Sequence, residues 1–212
     1  MKQVSILSSL NFINHGFYDA TDFQSDPDPV LMNQVHSADA LFITEKPHNL
    51  PSVDALITKS PHLNLTVKTA DCAPILLADP ESQMIAAIHA GWKGAFQGII
   101  ENTILEMIHH GAHIQSIYAG IGPHIQKSSF EMGQDIQSLF PKTEECFFIF
   151  KDSKIFFDFD AYVIHRLQRA GVEHIETVGD DTYPDPRYFS YRRSPSDKGR
   201  QFSSIVIKGG IK

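Results

Sequence analysis

The sequence predicts an α+β fold with a mixed β-sheet, in a single domain that covers residues 1–212. In several places one apolar run of strand length directly follows another, and in other places a helical pattern lies between two such runs. The order shows no regular strand–helix–strand alternation, which favours the α+β class. The chain has 212 residues, of which 42% are hydrophobic. These values are typical of one globular domain that buries a substantial core.

Predicted strands dominate the first half of the chain. Two short apolar runs, at residues 4–7 and 12–13, predict an edge strand, and the acidic, proline-rich residues 19–29 predict a loop. Five further apolar stretches have the length of a strand and are bounded by turn-forming residues. They are residues 40–44, 55–58, 63–69, 75–78 and 84–90.

Two clear helices stand out in the second half. Residues 94–110 have apolar positions at a spacing of three to four and stop before Gly111, and Asp158 can cap a helix over residues 159–170 that stops before Gly171. The other predicted elements are a short helix at 133–140, strands at 114–119, 146–150, 172–178 and 203–208, a turn at 120–123 and a polar loop at 182–200.

The charge and the apolar pattern exclude several classes of partner. A formal net charge of −7 argues against general nucleic-acid binding, although local arginines can still hold a small anion. No stretch approaches the roughly 18 apolar residues that span a bilayer, and the first residues lack the pattern of a signal peptide. We therefore expect a cytoplasmic protein with no membrane partner, in which Cys72 and Cys146 are reduced.

Three short motifs place reactive side chains beside turns: His36 in NQVH, Cys72 in TADCAP and His89 in IHAGWKG. Two imidazoles and one thiolate suit Zn²⁺ and leave a fourth position open, and copper accepts the same ligands. The spacings are not those of a zinc finger. The residues by themselves therefore leave two interpretations open, a metal site or a metal-free nucleophile–base pair of Cys72 and His89.

Seven motifs, in order from about residue 14 to the C-terminus, carry a family resemblance. They are NQVHSADA, VDALIT, LTVKTADCAPILLAD, AAIHAGWKGAFQGII, AGIGPHI, FEMG, and YFSYRR with GRQ. Together they resemble the YfiH/YlmD family, whose members are described as laccase-domain or multicopper polyphenol oxidase-like proteins and as purine nucleoside phosphorylases. The pair TADCAPILLAD and HAGWKG is highly specific to that family.

The resemblance implies a four-layer α/β/β/α fold with mixed β-sheets, and a zinc ion bound by His36, Cys72 and His89. It implies phosphorolysis of adenosine, inosine, guanosine and methylthioadenosine, so that purine nucleoside and phosphate are the expected ligands, together with adenosine deamination. Copper-dependent oxidation and editing of peptidoglycan precursors are alternative activities of relatives. Known multicopper sites need many more histidines than these. We expect a monomer or a weak homodimer.

Within this hypothesis Cys72, His89 and Asp71 are catalytic, with Asp71 able to orient a ligand. The candidates for holding the substrate are cations for phosphate, an acid or base, and rings that stack on a purine. The candidate cations are Lys93, Arg192, Arg193 and Arg200, the candidate acid or base is His124, and the candidate rings are Trp92 and Phe189. Each also has an ordinary structural interpretation, such as a turn aspartate, a loop histidine, a packed tryptophan or a solvated pair of loop arginines.

The sequence departs from the family at two places. Family members carry a segment of the form TRxGGVS after the HGF motif, whereas residues 14–17 are followed here by YDATD. An arginine that can hold an anion is therefore missing, which weakens the expectation of phosphorolysis. A late cysteine of the family is also absent, and residues 180–182 read DDT.

Overall fold

In the computed structural model, which describes residues 1–22 and 28–209, two mixed β-sheets lie face to face. The larger sheet has the strand order β12-β8-β6-β7-β4-β3. Its strands are β3 (Ala40–Phe42), β4 (Ala55–Thr58), β6 (Ala73–Asp79), β7 (Met84–Ala90), β8 (Tyr118–Ile121) and β12 (His174–Thr177). The smaller sheet has the order β1-β13-β5-β2 and consists of β1 (Ile13–Phe17), β2 (Pro29–Val30), β5 (Asn64–Thr69) and β13 (Gln201–Ile207).

The central strands β6 and β7 are buried along their whole length because both faces of the larger sheet are covered. Alternate side chains of a strand point to opposite faces, and β6 divides its residues accordingly. Ile75 and Leu77 belong to the core on the helical side, whereas Leu76 and Ala78 belong to the core between the two sheets. A continuous apolar run thus serves two cores at once.

Helices cover the outer face of the larger sheet. They are α2 (Trp92–Gln97), α3 (Ile99–His109) and α5 (Phe159–Arg169), and the short α4 (Gln134–Gln137) lies in the chain between the first and second strands of a small antiparallel sheet. That sheet contains β9 (Glu131–Met132), β10 (Phe148–Lys151) and β11 (Lys154–Phe157). On the other side of the larger sheet, α1 (Ser5–Ser8) contributes Leu7 to the core between the sheets. The predicted α+β class with mixed sheets is confirmed.

Several predicted elements are also confirmed. Helix α5 begins after Asp158, whose carboxylate accepts a hydrogen bond from the backbone N–H of Ala161. Strands β4 and β7 have the predicted bounds, and the segment 182–200 contains no helix or strand. Of the predicted loop 19–29, residues 23–27 lie outside the described residues.

Other elements differ from the prediction. The predicted helix at 94–110 is divided into α2 and α3 by Gly98, whose φ of 102° lies in the left-handed region and interrupts the helical backbone. Residues 4–7 were predicted to be strand, but residues 5–7 belong to α1, because Glu176, distant in sequence, accepts hydrogen bonds from the N–H groups of Ser5 and Ile6. The predicted strand at 114–119 begins with a 3₁₀ turn, Ile114–Ser116, and β9 and β11 were not predicted.

Among the described residues, no helix has the length and apolar character needed to cross a bilayer.

Candidate metal centre and its cavity

The strand pairing of the larger sheet brings the predicted ligands together. Strands β6 and β7 are antiparallel neighbours in which Pro74 lies opposite His89. Cys72 immediately precedes β6, so its side chain reaches the same edge of the sheet as His89. His36 comes from the loop between β2 and β3, and its ring centroid lies 4.8 Å from that of His89. The ligand atoms of the three residues all lie within 4.8 Å of one another.

Asp54, a residue that the sequence analysis did not select, organises two of these three residues. It is completely buried directly before β4, and its Oδ1 atom lies 2.7 Å from the Nδ1 atom of His89. Its carboxylate also accepts hydrogen bonds from the backbone N–H groups of Val35, His36 and Ser37. The VDALIT motif contained a usable signal, because a carboxylate at the start of a wholly apolar strand needs a partner.

The surroundings shift the pKa values of these groups in different directions. Burial opposes a charge on His89, but the negative charge of Cys72 and the hydrogen bond to Asp54 outweigh it and raise the pKa of His89 to about 9. Burial and the proximity of His89 lower the pKa of His36. Burial disfavours ionisation of Asp54, yet hydrogen bonds from His89 and Ser37 prevail and lower its pKa.

Gly91 allows the ligands to approach one another. A methyl group at this position would lie 2.6 Å from the Nδ1 atom of His36 and 3.2 Å from the Sγ atom of Cys72. The backbone of Gly91 is extended, so the requirement for glycine is a requirement for space rather than for an unusual φ.

The three residues fit a zinc ion. Tetrahedral zinc places nitrogen and sulfur ligands roughly 3.3–3.6 Å apart, so the widest separation in the set, 4.8 Å at most, needs to shorten by no more than about 1.2–1.5 Å. Because an ionised carboxylate can only accept hydrogen bonds, the Nδ1–H group of His89 donates to Asp54, and the Nε2 atom can bind a metal once it has lost its own proton. Within residues 1–22 and 28–209, no second group of three such ligands gathers in this way.

A cavity of about 800 Å³ opens onto the three residues, and its size suits a small-molecule ligand. Its walls combine cations with rings and apolar side chains. The cations are Lys68, Arg192, Lys198 and Arg200, and the other main wall residues are Met32, Leu50, Trp92, Ile125, Phe130, Phe159 and Tyr191. Asp71 is the one carboxylate in the described part of this wall. A protein of net charge −7 thus has a cavity with an excess of positive charge.

Asp71 fastens the 182–200 segment over the cavity. One oxygen of its carboxylate accepts a hydrogen bond from the Thr182 hydroxyl at 2.6 Å, and the other accepts from the backbone N–H of Arg192 at 2.7 Å. The Arg192 side chain lies 5.5 Å above the ring of Phe130. Asp71 therefore lies beside Cys72 as expected, but its hydrogen bonds hold the loop rather than a ligand of the triad.

Four of the predicted substrate-binding residues do not line the cavity. His124 is completely buried, with its Nδ1 atom 2.9 Å from the Gly122 carbonyl oxygen. The Arg193 guanidinium donates to the carbonyl groups of Thr182 and Tyr183, so it stabilises the loop. Lys93 and the ring of Phe189 also lie outside the cavity wall. Of the predicted set, Trp92, Arg192 and Arg200 line the cavity, and Lys68 and Lys198 were not predicted.

Comparisons with known proteins agree with the motifs. A family described as multi-copper polyphenol oxidoreductase laccase matches residues 15–208. A purine nucleoside phosphorylase of Rickettsia prowazekii (strain Madrid E) is 37% identical over 199 residues, which cover 89% of this chain and 82% of the relative.

Solved structures show the same fold. A Neisseria meningitidis protein superimposes with a TM-score of 0.78 at 31% identity, covering 85% of this chain and 76% of the other. A Bacillus licheniformis protein named YfiH superimposes with a TM-score of 0.83 at 23% identity, covering 92% and 93% of the two chains.

Proposed function

The chain belongs to the multi-copper polyphenol oxidoreductase laccase family, and from this membership we propose that it is a zinc-dependent purine nucleoside phosphorylase. The observation that carries the proposal is the shared cavity, in which His36, Cys72 and His89 face the same space as a set of cations and aromatic rings. A relative named purine nucleoside phosphorylase supports it. The proposed substrates are adenosine, inosine, guanosine and methylthioadenosine, with adenosine deamination as a second activity.

The cations serve to hold phosphate. In phosphorolysis a phosphate oxygen forms a bond to the anomeric carbon of the ribose while the bond to the purine nitrogen breaks, and its electron pair leaves with the base. The attacking dianion needs fixed positive charges, and arginine forks and lysine ammonium groups supply them. In this proposal Arg192 and Arg200 hold the phosphate together with Lys68 and Lys198, and all four residues line the cavity.

The remaining walls suit the nucleoside. Trp92, Phe130 and Tyr191 offer rings on which a purine can stack, and such stacking tolerates different bases. Zinc bound by the three ligands would supply a Lewis acid at this end of the cavity, and copper is the alternative metal. The loop that Asp71 fastens keeps Arg192 at the cavity wall.

Product analysis tests this proposal. The protein is incubated with adenosine, with and without inorganic phosphate, and the products are separated. Adenine and ribose 1-phosphate are expected only when phosphate is present. Inosine formed in both incubations would support the deaminase activity alone, and neither product with any of the four nucleosides would refute the nucleoside assignment.

Charge-removing variants test the phosphate subsite. Lys68→Gln and Lys198→Gln should each raise the KM for phosphate roughly tenfold, which corresponds to the loss of one charge-assisted contact of about 1.5 kcal/mol. Lys142→Gln is the matched control, because Lys142 lies exposed outside the cavity wall. Equal KM values for phosphate in all three variants would exclude the two cavity lysines from the subsite.

A second candidate function is hydrolysis by a Cys72 nucleophile without metal. Cys72 contacts His89, and His89 in turn contacts Asp54. This arrangement favours the candidate, because it is that of a nucleophile, its base and the group that orients the base. If the wild type contains stoichiometric zinc, and Cys72→Ser loses both the zinc and the activity, the result would argue against this candidate. Full activity after exhaustive treatment with a chelator would favour it.

A further inference from the structure

Asp54 is placed where one side chain can determine the geometry of two metal ligands. It stands between the apolar residues Val53 and Ala55, and no part of it is exposed to solvent. A buried carboxylate is costly unless its oxygens are fully hydrogen-bonded. The contacts that satisfy these oxygens come almost entirely from the segments that carry His36 and His89.

The first connection is to the backbone at His36. Oδ1 of Asp54 accepts from the N–H of His36 at 3.1 Å, while Oδ2 accepts from the N–H groups of Val35 at 3.2 Å and of Ser37 at 2.6 Å. These successive donors curve around the carboxylate, and His36 has a φ of 58°. A histidine in the left-handed region is strained unless its surroundings hold it there. Asp54 supplies that restraint.

The second connection is to the ring of His89. The Nδ1 atom of His89 lies 2.7 Å from Oδ1 of Asp54, and the backbone N–H of His89 donates to the Asp54 carbonyl oxygen at 2.8 Å. Two hydrogen bonds between the same two residues fix both the position of the strand and the rotation of the imidazole. Oδ1 of Asp54 therefore accepts hydrogen bonds both from the backbone N–H of His36 and from the ring of His89.

We propose that Asp54 is the positioning residue of the metal centre, which sets the backbone conformation of His36 and the tautomer and rotation of His89 through one carboxylate. This inference rests on the proposed metal site, but it does not depend on which substrate is used. A carboxylate behind a ligating histidine typically changes metal affinity by about 10–100-fold when it is removed. We expect the upper part of that range here, because two ligands lose their restraint together.

Asp79 provides a matched control for this proposal. It is also completely buried, and its carboxylate accepts hydrogen bonds from backbone N–H groups and from the hydroxyls of Ser82 and Ser116. It lies at the far end of β6 from Cys72 and contacts none of the three proposed ligands. Asp54→Asn and Asp79→Asn should therefore lower the free energy of unfolding by similar amounts, but only Asp54→Asn changes contacts of the proposed metal ligands.

The experiment measures metal binding in the absence of any nucleoside. Metal-free wild type, Asp54→Asn and Asp79→Asn are titrated with Zn²⁺ in competition with a chromophoric chelator, and with Co²⁺ to record the thiolate and ligand-field bands. Asp54→Asn should bind zinc more weakly by close to 100-fold, with altered cobalt bands, whereas Asp79→Asn should stay within about threefold of wild type. Equal affinities and spectra in the two variants would overturn the proposal, and so would a wild type that binds no metal. A lack of phosphorolysis would leave it unaffected.

A measurement on the wild type covers the case in which Asp54→Asn does not fold. Imidazole ¹⁵N spectra of the zinc-loaded protein should show His89 with its proton on Nδ1, in slow exchange with solvent, and with Nε2 bound to zinc. His89→Gln identifies the signal by its disappearance. Coordination of zinc through the Nδ1 atom of His89 would contradict the proposed role of Asp54.

Discussion

Replacement of Gly91 by alanine is the sharpest test of the close packing around the metal centre. The new methyl carbon would lie 2.6 Å from the Nδ1 atom of His36, so the ring must move by about 0.8 Å or more to reach an ordinary contact distance. Metal–ligand distances tolerate deviations of only about 0.2 Å, and loss of the contacts that position a ligand costs about 10–100-fold in metal affinity. We therefore expect Gly91→Ala to weaken zinc binding about 100-fold, or by roughly 2.7 kcal/mol.

The same substitution should leave folding almost unchanged. Gly91 has φ −76° and ψ 162°, which alanine adopts without strain. Gly98→Ala, at the other end of α2, is the crossed control. There φ is 102°, so alanine should lower the unfolding free energy by about 1–2 kcal/mol. Its nearest neighbours lie at 3.9 Å, so zinc affinity should stay at the wild-type value. Chelator competition and urea unfolding of the metal-free proteins measure the two effects. Wild-type zinc affinity in Gly91→Ala would refute the reasoning.

Three further predictions concern the loop over the cavity and the pH dependence of stability. Asp71→Ala removes both hydrogen bonds that fasten the 182–200 segment, so limited proteolysis within it should accelerate and the nucleoside KM should rise more than kcat falls. Arg193→Met should produce the same proteolytic sensitivity, because its guanidinium donates to several carbonyls of that segment, and resistance in both variants would contradict the anchoring role. Burial lowers the pKa of the nearly unexposed His15 to about 4, despite the opposing charge of Glu176. Between about pH 6.5 and 4, His15 is therefore protonated in the unfolded chain but not in the folded protein. The free energy of unfolding falls as the pH falls through that window, by an amount of the order of 3 kcal/mol. Urea midpoints should show this slope in the wild type and a flatter one in His15→Gln.

Local sequence patterns were sufficient to predict the elements whose capping residues, stop signals or apolar runs lie in the adjacent sequence. Helix α5 carries its capping residue Asp158 and its stop signal Gly171 in the adjacent sequence, so its bounds could be predicted within one residue. The apolar runs of β6 and β7 are long enough to indicate strands buried on both faces. Patterns failed where a distant residue decides the backbone, as at α1, whose N–H groups bind Glu176.

The candidate site divides in the same way. The motifs identified His36, Cys72 and His89 because their residue types and neighbours are unusual, and this information is local. They could not separate Arg192 from its neighbour Arg193, since adjacent loop side chains take opposite directions only once the loop is folded. Arg192 lines the cavity, whereas Arg193 binds the carbonyls of its own loop.

The sequence by itself determined the fold class, the family and the identity of the three proposed ligands. The tertiary structure alone decided what holds them in position. Asp54 is distant from His36 and His89 in the chain, and its carboxylate meets both because β4 pairs with β7 while the loop before β3 folds over it. A hydrogen bond needs two groups within about 3 Å, a distance that follows from packing and from no pattern along the chain.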